Sequence, residues 1–561
     1  MNSLQTKDYI VFLFYFIIVA SYGLYIYYRK KKASVTASHD YFLAEGSLTW
    51  WAIGASLIAS NISAEQFIGM SGNGFKMGLA ISTYEWMAAA TLLIVAIFFI
   101  PVYLKNKIYT MPQFLNERYN STVAMVMAVF WLLLYVVVNL TSILYLGALA
   151  ISSVSGLNLT LCMYMLALFA IFITLGGMKV IGYTDVIQVF FLILGGLVTT
   201  YLALNMVSKH YGSEGVLKGF TLMMHHADNH FHMIFKQGNE NYPSLPGLTV
   251  LIGGMWIVNL NYWGCNQYIT QRALGADLKT ARSGLLFAAC LKLLMPVIVV
   301  LPGIAAFVLY KEGNFQTEML QNGELNPDRA YPVLLNLLPE GLKGLSFAAL
   351  TAAVVASLAG KANSIATIFT LDIYKKKLNT EADEKKMVWV GRVTVIAAML
   401  IAVIIAPMLG IDKKGGFEFI QEYTGFVSPG IFAMFILGFF WKKTSSNAAM
   451  FATVAGFAMS VLFKLMPRFV DLSFLSSTGF ATKVQQKNGS MLYEIPFLDR
   501  MGFVFLIAVA GMIIISIIDQ KKGVIVKGLE IDKRMFKTSA GFAVGALLVC
   551  GILAALYTIY W

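Results

Sequence analysis

Runs of about 20 apolar residues recur along the whole chain, separated by short polar stretches. Each is long enough to cross a hydrocarbon core about 30 Å thick. They predict about fourteen spanning helices, over roughly 8–28, 50–70, 78–103, 121–153, 157–175, 180–207, 246–271, 283–310, 343–374, 388–407, 417–440, 446–465, 499–518 and 540–560. Two of them break the apolar pattern. SNISAEQFIGMSGNGF (60–75) places Asn61, Ser63, Glu65, Gln66 and the glycines 69, 72 and 74 at membrane depth. GGMWIVNLNYWGCNQY (253–268) does the same with Gly253, Gly254, Asn259, Asn261, Gly264, Asn266 and Gln267. Polar side chains in a span are costly, and non-helical backbone survives there only where protein buries it or it lines a wet cavity.

The two exceptions open two five-helix units, spans two to six and seven to eleven. Five is odd, so the units insert with opposite orientation. This is the pattern of inverted-repeat secondary transporters, which bind solute and ion where broken helices meet at the midplane. Polar, glycine-rich helix contacts are the competing reading, weakened because the segments recur in matching positions. The organisation expected is one polytopic membrane domain, 1–561. An extra helix lies at 8–28, a first repeat at 50–207, an inverted second repeat at 246–440 and additional helices at 446–561. The first apolar run lacks the basic start and cleavage site of a signal peptide, and reads as a retained helix.

Composition agrees: 58% of residues are apolar and only 13% charged, against about 45–50% and about 25% in soluble domains. The net charge of +13 points to loop topology rather than to nucleic acid. Basic residues concentrate in alternate short loops, from Arg29 to Lys32, at Lys105, Lys107 and Arg118, at Arg272, Lys279 and Arg282, and again at Lys375, Lys376 and Lys377. By the positive-inside rule these loops are cytoplasmic and both termini are outside, in a multi-pass cell-membrane protein. The scattered cysteines read as packing residues, not as a disulfide or zinc framework. The external stretch 208–245 carries His225, His226, His230 and His232 and reads as a solvated loop before it reads as a metal site. The stretch 467–498 reads as a flexible loop.

The remaining intramembrane polar groups define the chemistry. Glu85 lies in the third span, Lys292 in the eighth and Gln421 at the start of the eleventh. Opposite charges facing one small cavity can stay ionised and still bind hydroxyls. With Asn61, Gln66 and Asn259 they supply many donors and acceptors at little net charge, which suits a neutral polyhydroxylated ligand. Tyr84, Tyr262, Trp263 and Met70 add flat apolar faces for the CH faces of a sugar ring. No HExxH pair, GxSxG elbow or P-loop is present, so the chain does not read as an enzyme. No obligatory protein partner is evident.

NISAEQFIGMSG, STYEWM, YTDVIQVFF, NYWGCNQYITQR, SIATIFTLDIYK and IQEYTGFVSPGI resemble the sodium/solute symporter family, over about residues 40–465. The resemblance implies an all-α, fourteen-helix membrane fold with a five-plus-five, LeuT-like inverted-repeat core and two discontinuous helices. It implies sodium-coupled symport of a galactose- or glucose-like sugar by alternating access, with a polyol, nucleoside or sialic acid as the alternative solute. It assigns the sugar to Asn61, Gln66, Glu85, Asn259, Lys292 and Gln421. Tyr262 becomes the inner gate with Trp263 nearby, and Met70 and Tyr84 belong to the outer gate. Sodium falls to the carbonyls of Ala59, Ile62 and Ala353 and the hydroxyl of Ser357. Asp185 falls on the sodium exit route. Three positions depart from the family pattern: Ala88 for a serine near the sugar, Asn261 for a tyrosine beside the gate, and Ala356 for one of two sodium-site serines. Lys361 lies one turn beyond Ser357 on a similar face. It reads either as an ammonium that influences or replaces the cation, or as a lysine reaching a polar pore or the interface.

Overall fold

The computed structural model describes residues 4–31, 49–108, 110–175, 178–321, 323–408, 416–485 and 489–561. The chain is mostly helical. Among the described residues, nine helices are long and apolar enough to cross a membrane, or ten if one bent pair forms a single span. Every apolar run named above falls on helix.

Burial separates centre from rim. The apolar window of Leu342–Leu378 is 83% buried, and that of Ala540–Ile559 only 11%. The outer helices turn Leu168, Phe172, Leu506, Leu547 and Leu548 outward, as lipid-facing side chains require. At the centre the long helix Leu278–Lys311 packs against Trp50–Asn61, Ser71–Met77 and Thr83–Ile94. Small residues permit this approach. A Cβ on Gly54 would lie 2.7 Å from the Gly284 carbonyl, one on Gly74 2.6 Å from the Val300 carbonyl, and one on Gly303 2.0 Å from the Ser71 carbonyl. Close backbone contact of this kind is the main packing device available inside a bilayer, where lipid tails remove the hydrophobic driving force between helices.

The first polar segment departs from regular helix at Ile62. Trp50–Asn61 ends at Ile62, whose backbone is extended (φ −70°, ψ 113°). A π-helical turn, Glu65–Met70, and Ser71–Met77 follow. Gly78, at φ 75°, then turns the chain into the next helix. The second segment differs. Gly254–Cys265 is an unbroken helix, and the irregular residues sit at its ends, Gly253 and Asn266. The glycines inside it serve packing: a Cβ on Gly254 would meet the Leu498 carbonyl at 2.1 Å, and one on Gly264 would meet the Phe99 ring at 2.8 Å. A further bend was not expected. Residues 417–440, read as one span, form Gly416–Thr424 and Ser428–Phe440, bent by 51°.

Two stretches between apolar helices are more ordered than expected. The 208–245 stretch, read as a solvated loop, contains the helix Val216–His226, packed on Met178–His210. Its apolar residues fall at helical spacing, and Met223 is buried. His230 stacks on Phe307 at 3.9 Å, and no metal-holding cluster exists among the described residues. In 467–498, read as flexible, Thr482–Gln485 pairs antiparallel with Met491–Glu494, and a second short pair joins Leu320–Gln321 to Glu324–Leu325. The four cysteines are free.

Gly303→Ala should lower stability by about 1–3 kcal/mol through overpacking, read as a drop in the thermal unfolding midpoint of purified protein. Gly551→Ala, which meets nothing within 4 Å, should leave the midpoint unchanged.

Candidate functional site

The break at Ile62 rewires its own hydrogen bonds. In a continuous helix the Ser63 N–H would donate to the Ala59 carbonyl. Here it donates to Gln66 Oε1 at 3.1 Å, which also accepts from Ser63 Oγ at 3.3 Å. The Gln66 N–H donates to the Ser63 carbonyl at 3.2 Å rather than to Ile62. Ser63 Oγ in turn accepts from the Glu65 N–H at 3.1 Å. Gln66 therefore caps the break from inside, and the Ala59 and Ile62 carbonyls lose their in-helix donors.

Next to the break lies a buried charge pair. Lys292 Nζ contacts Glu85 Oε2 and Asn61 Oδ1, and stands 5.2 Å from the centre of the Trp263 ring. Lys292 and Glu85 are 1% and 3% exposed. An unpaired charge there would be costly, and the contact sets the two opposite charges against each other. Asn61 Nδ2 donates to Tyr262 Oη at 3.2 Å, which ties the broken segment to Gly254–Cys265.

These groups face one cavity. Asn61, Gln66, Glu85, Asn259, Lys292, Gln421, Tyr84, Tyr262 and Trp263 all line it, so nine of the ten predicted solute and gate residues meet in space. Met70 does not line it; it is fully buried in the hydrophobic core. Asn259 Nδ2 donates to the Met255 carbonyl at 3.2 Å. Tyr84 meets Phe417 edge-on at 4.9 Å, and Tyr262 meets Trp263 edge-on at 5.2 Å. Gln421 is carried in by the short helix Gly416–Thr424, just before the bend. Ala88 and Asn261 also line the cavity, and Asn261 Nδ2 donates to Ser428 Oγ at 3.1 Å.

The cavity also holds residues outside the predicted solute and gate set, among them Lys361, which the sequence had set beside the cation site or at a polar pore. Glu65, Tyr135, Asn139, Asn266 and Lys361 line it as well. Lys361 Nζ donates to Asn139 Oδ1 at 2.8 Å, and Tyr135 Oη donates to Asn266 Oδ1 at 2.7 Å. Glu65 and Asn139 were visible as polar groups inside apolar runs, but only the fold shows that they face the same space.

The expected cation ligands lie on two adjoining helices. Trp50–Asn61 packs against Leu342–Thr367, which carries Ala353 and Ser357. Ser357 Oγ is buried with no hydrogen-bond partner among the described residues. A hydroxyl without a partner beside carbonyls freed from their helix fits a hard cation that takes oxygen ligands. When bound there, sodium would supply positive charge that holds the two helices together. The Asp185 side chain lies outside the described residues.

Asp328 Oδ2 accepts from the Gly416 N–H at 2.8 Å, at the start of the helix that carries Gln421. Asp328 also packs on Gly72, where a Cβ would lie 2.3 Å from Oδ1. Lys76 and Glu418 pair across the same seam at 3.0 Å. Burial pushes the Asp328 carboxyl up to about 7.

A helical membrane protein with a central polar cavity beside a cation-suited helix break is built as an ion-coupled secondary transporter. The comparisons are specific. Residues 41–456 match the model of the sodium:solute symporter family, and the chain belongs to that family. It is 44% identical to the sodium/glucose cotransporter of Vibrio parahaemolyticus, over 100% of this chain and 99% of the relative. It is 33% identical to the human sodium/myo-inositol cotransporter 2, over 82% of this chain and 70% of the relative. In fold it is similar to a sodium-coupled sialic acid symporter in a substrate-bound outward-open state, with a TM-score of 0.74 over 94% of this chain and 100% of that chain, at 21% identity. The protein is a multi-pass, sodium-coupled solute symporter.

Two predictions follow from the geometry. Lys292→Met should cost about 3–5 kcal/mol by stranding Glu85, and adding Glu85→Gln should restore much of the loss in a thermal unfolding assay. A carboxyl raised by burial stabilises the fold fully below its unfolded value, near 4, and loses that contribution as pH rises through about 7. The unfolding midpoint should therefore fall between about pH 4 and pH 8, and Asp328→Asn should flatten that slope.

Proposed function

We propose that this protein imports a neutral, polyhydroxylated solute of the sugar class together with sodium. The observation that carries this reading is the Glu85–Lys292 pair, set among Asn61, Gln66, Asn259 and Gln421 in one cavity. Paired charges and amides offer hydroxyls both donors and acceptors without favouring an anion or a cation. Tyr262 and Trp263 offer flat faces against which the CH face of a ring can lie. The glucose transport named for the Vibrio relative supports a hexose. The inositol relatives, together with Ala88 where a hydroxyl would bind solute, support a cyclic polyol as the second reading.

The architecture proposed is fourteen spans with both termini outside, in the cell membrane. Spans two to eleven form two inverted repeats, and the irregular residues at Ile62, Gly253 and Asn266 serve as the discontinuities of their first helices. In the transport cycle, sodium from outside is held by the carbonyls of Ala59, Ile62 and Ala353 and by Ser357 Oγ. That bond fixes the Ile62 break against Leu342–Thr367 and so orders Asn61 and Gln66 for the solute. Solute then binds, and Tyr84 closes on Phe417 from outside with Met70 packed behind. The core rocks, Tyr262 and Trp263 move aside, and sodium leaves past Asp185.

The energetics are sufficient with one ion. A charge moving through about 100 mV releases about 2.3 kcal/mol, and a tenfold sodium gradient adds about 1.4 kcal/mol. Together, about 3.7 kcal/mol sustains roughly a 500-fold solute gradient.

The test is uptake of labelled glucose, galactose and myo-inositol into proteoliposomes, with and without an inward sodium gradient. Sodium-driven, saturable uptake of one of them is expected. Gln421→Ala should raise its half-saturation concentration about tenfold, the worth of one or two hydrogen bonds. Uptake of none of the three by folded protein would reject the sugar reading.

A further inference from the structure

The Ile62 break and the turn after Ser357 each continue, towards the cavity, into a charged residue. Glu65 follows Ile62 by three residues, and Lys361 follows Ser357 by four. Glu65 opens the turn that follows the break, and Lys361 lies one helical turn beyond Ser357 on a similar face. Both line the cavity. They carry opposite charges. Lys361 is 4% exposed, held by Asn139 and 5.7 Å from the centre of the Tyr135 ring. Glu65 Oε1 is buried with no hydrogen-bond partner among the described residues. A carboxylate oxygen left in this state beside a cation site exerts its field undiluted by a donor.

Ala356, beside Ser357, brings no hydroxyl. With fewer direct ligands, the field of nearby fixed charge weighs more in how tightly the ion is held.

We propose that Glu65 and Lys361 form a fixed charge pair that sets the affinity of the neighbouring site for sodium, Glu65 strengthening it and Lys361 weakening it. The pair leaves the cavity neutral, so a neutral solute is still admitted. It also tempers the hold on sodium, so that the ion can leave on the inner side. Lys361 is then a resident positive charge that tunes the coupling ion without replacing it.

The proposal rests on the sodium-site reading, and the experiment separates the two. Sodium binding to purified protein without solute is followed by the sodium-dependent rise in unfolding midpoint, and sodium-driven uptake is measured in parallel. Lys361→Met should lower the sodium half-saturation concentration about tenfold, and Glu65→Gln should raise it about tenfold. The double variant should return to within about twofold of the unaltered protein, since the field cancels again. Lys361→Arg keeps the charge and should stay close to the unaltered value. Shifts of the same sign in Lys361→Met and Glu65→Gln, or none beyond about twofold in either, overturn the proposal. Ser357→Ala is the control: weakened sodium binding there with no response in the charge variants rejects the pair alone. No change in Ser357→Ala rejects the sodium site itself.

Discussion

Inside a bilayer, a backbone group that gives up its helical hydrogen bond needs another partner, because no water is at hand. The site in this protein is built around one such exchange. Gln66 takes over the Ser63 N–H, the chain extends at Ile62, and the carbonyls of Ala59 and Ile62 are released. The same turn presents Asn61 to Lys292 and Tyr262, and Glu65 to the cavity. One side chain thus supports the cation-suited oxygens and the polar wall of the solute cavity together. This gives a physical route for coupling: whatever holds the break in one arrangement also positions the groups that meet the solute.

Charge balance is the second organising constraint. Four ionisable side chains face one small space, two acidic and two basic: Glu65, Glu85, Lys292 and Lys361. Each is tolerable because an opposite charge faces it. Glu85 and Lys292 are in direct contact, and the amides of Asn61, Gln66, Asn259 and Gln421 line the same cavity. Glu65 opens the turn after the Ile62 break, and Lys361 lies on the helix that carries Ala353 and Ser357. The cavity can therefore be strongly polar without carrying a net charge that would exclude a neutral solute or trap an ion.

The end of the site near Asp328 depends on packing more than on charge. Gly72, Gly74 and Gly303 let the segment after the break lie against Asp328 and the long helix Leu278–Lys311. Asp328 holds the first N–H of the helix that brings in Gln421. The bend after Thr424 makes that helix short and separately anchored, which allows it to move as a unit against the cavity.

Much of this was legible in the residues alone. Long apolar runs have few alternatives to spanning helices, so the membrane class, the helix positions and the first break followed from hydropathy and from the cost of buried polar groups. Asn61, Gln66, Glu85, Asn259, Lys292 and Gln421 were recognisable because each violates the apolar pattern. What the pattern leaves open is direction. A polar group in a span must face protein or water, but the run does not say which protein. Glu65, Asn139 and Lys361 meet only because three distant helices pack side by side. Met70, in the same segment as Gln66, turns into the core instead. Of the glycines in 253–268, Gly253 interrupts the helix while Gly254 and Gly264 proved to be contact points, since glycine permits both and only a neighbouring group distinguishes them. Local chemistry along the chain determined which groups had to be sheltered, while the packing of helices remote in sequence decided which of them share a shelter.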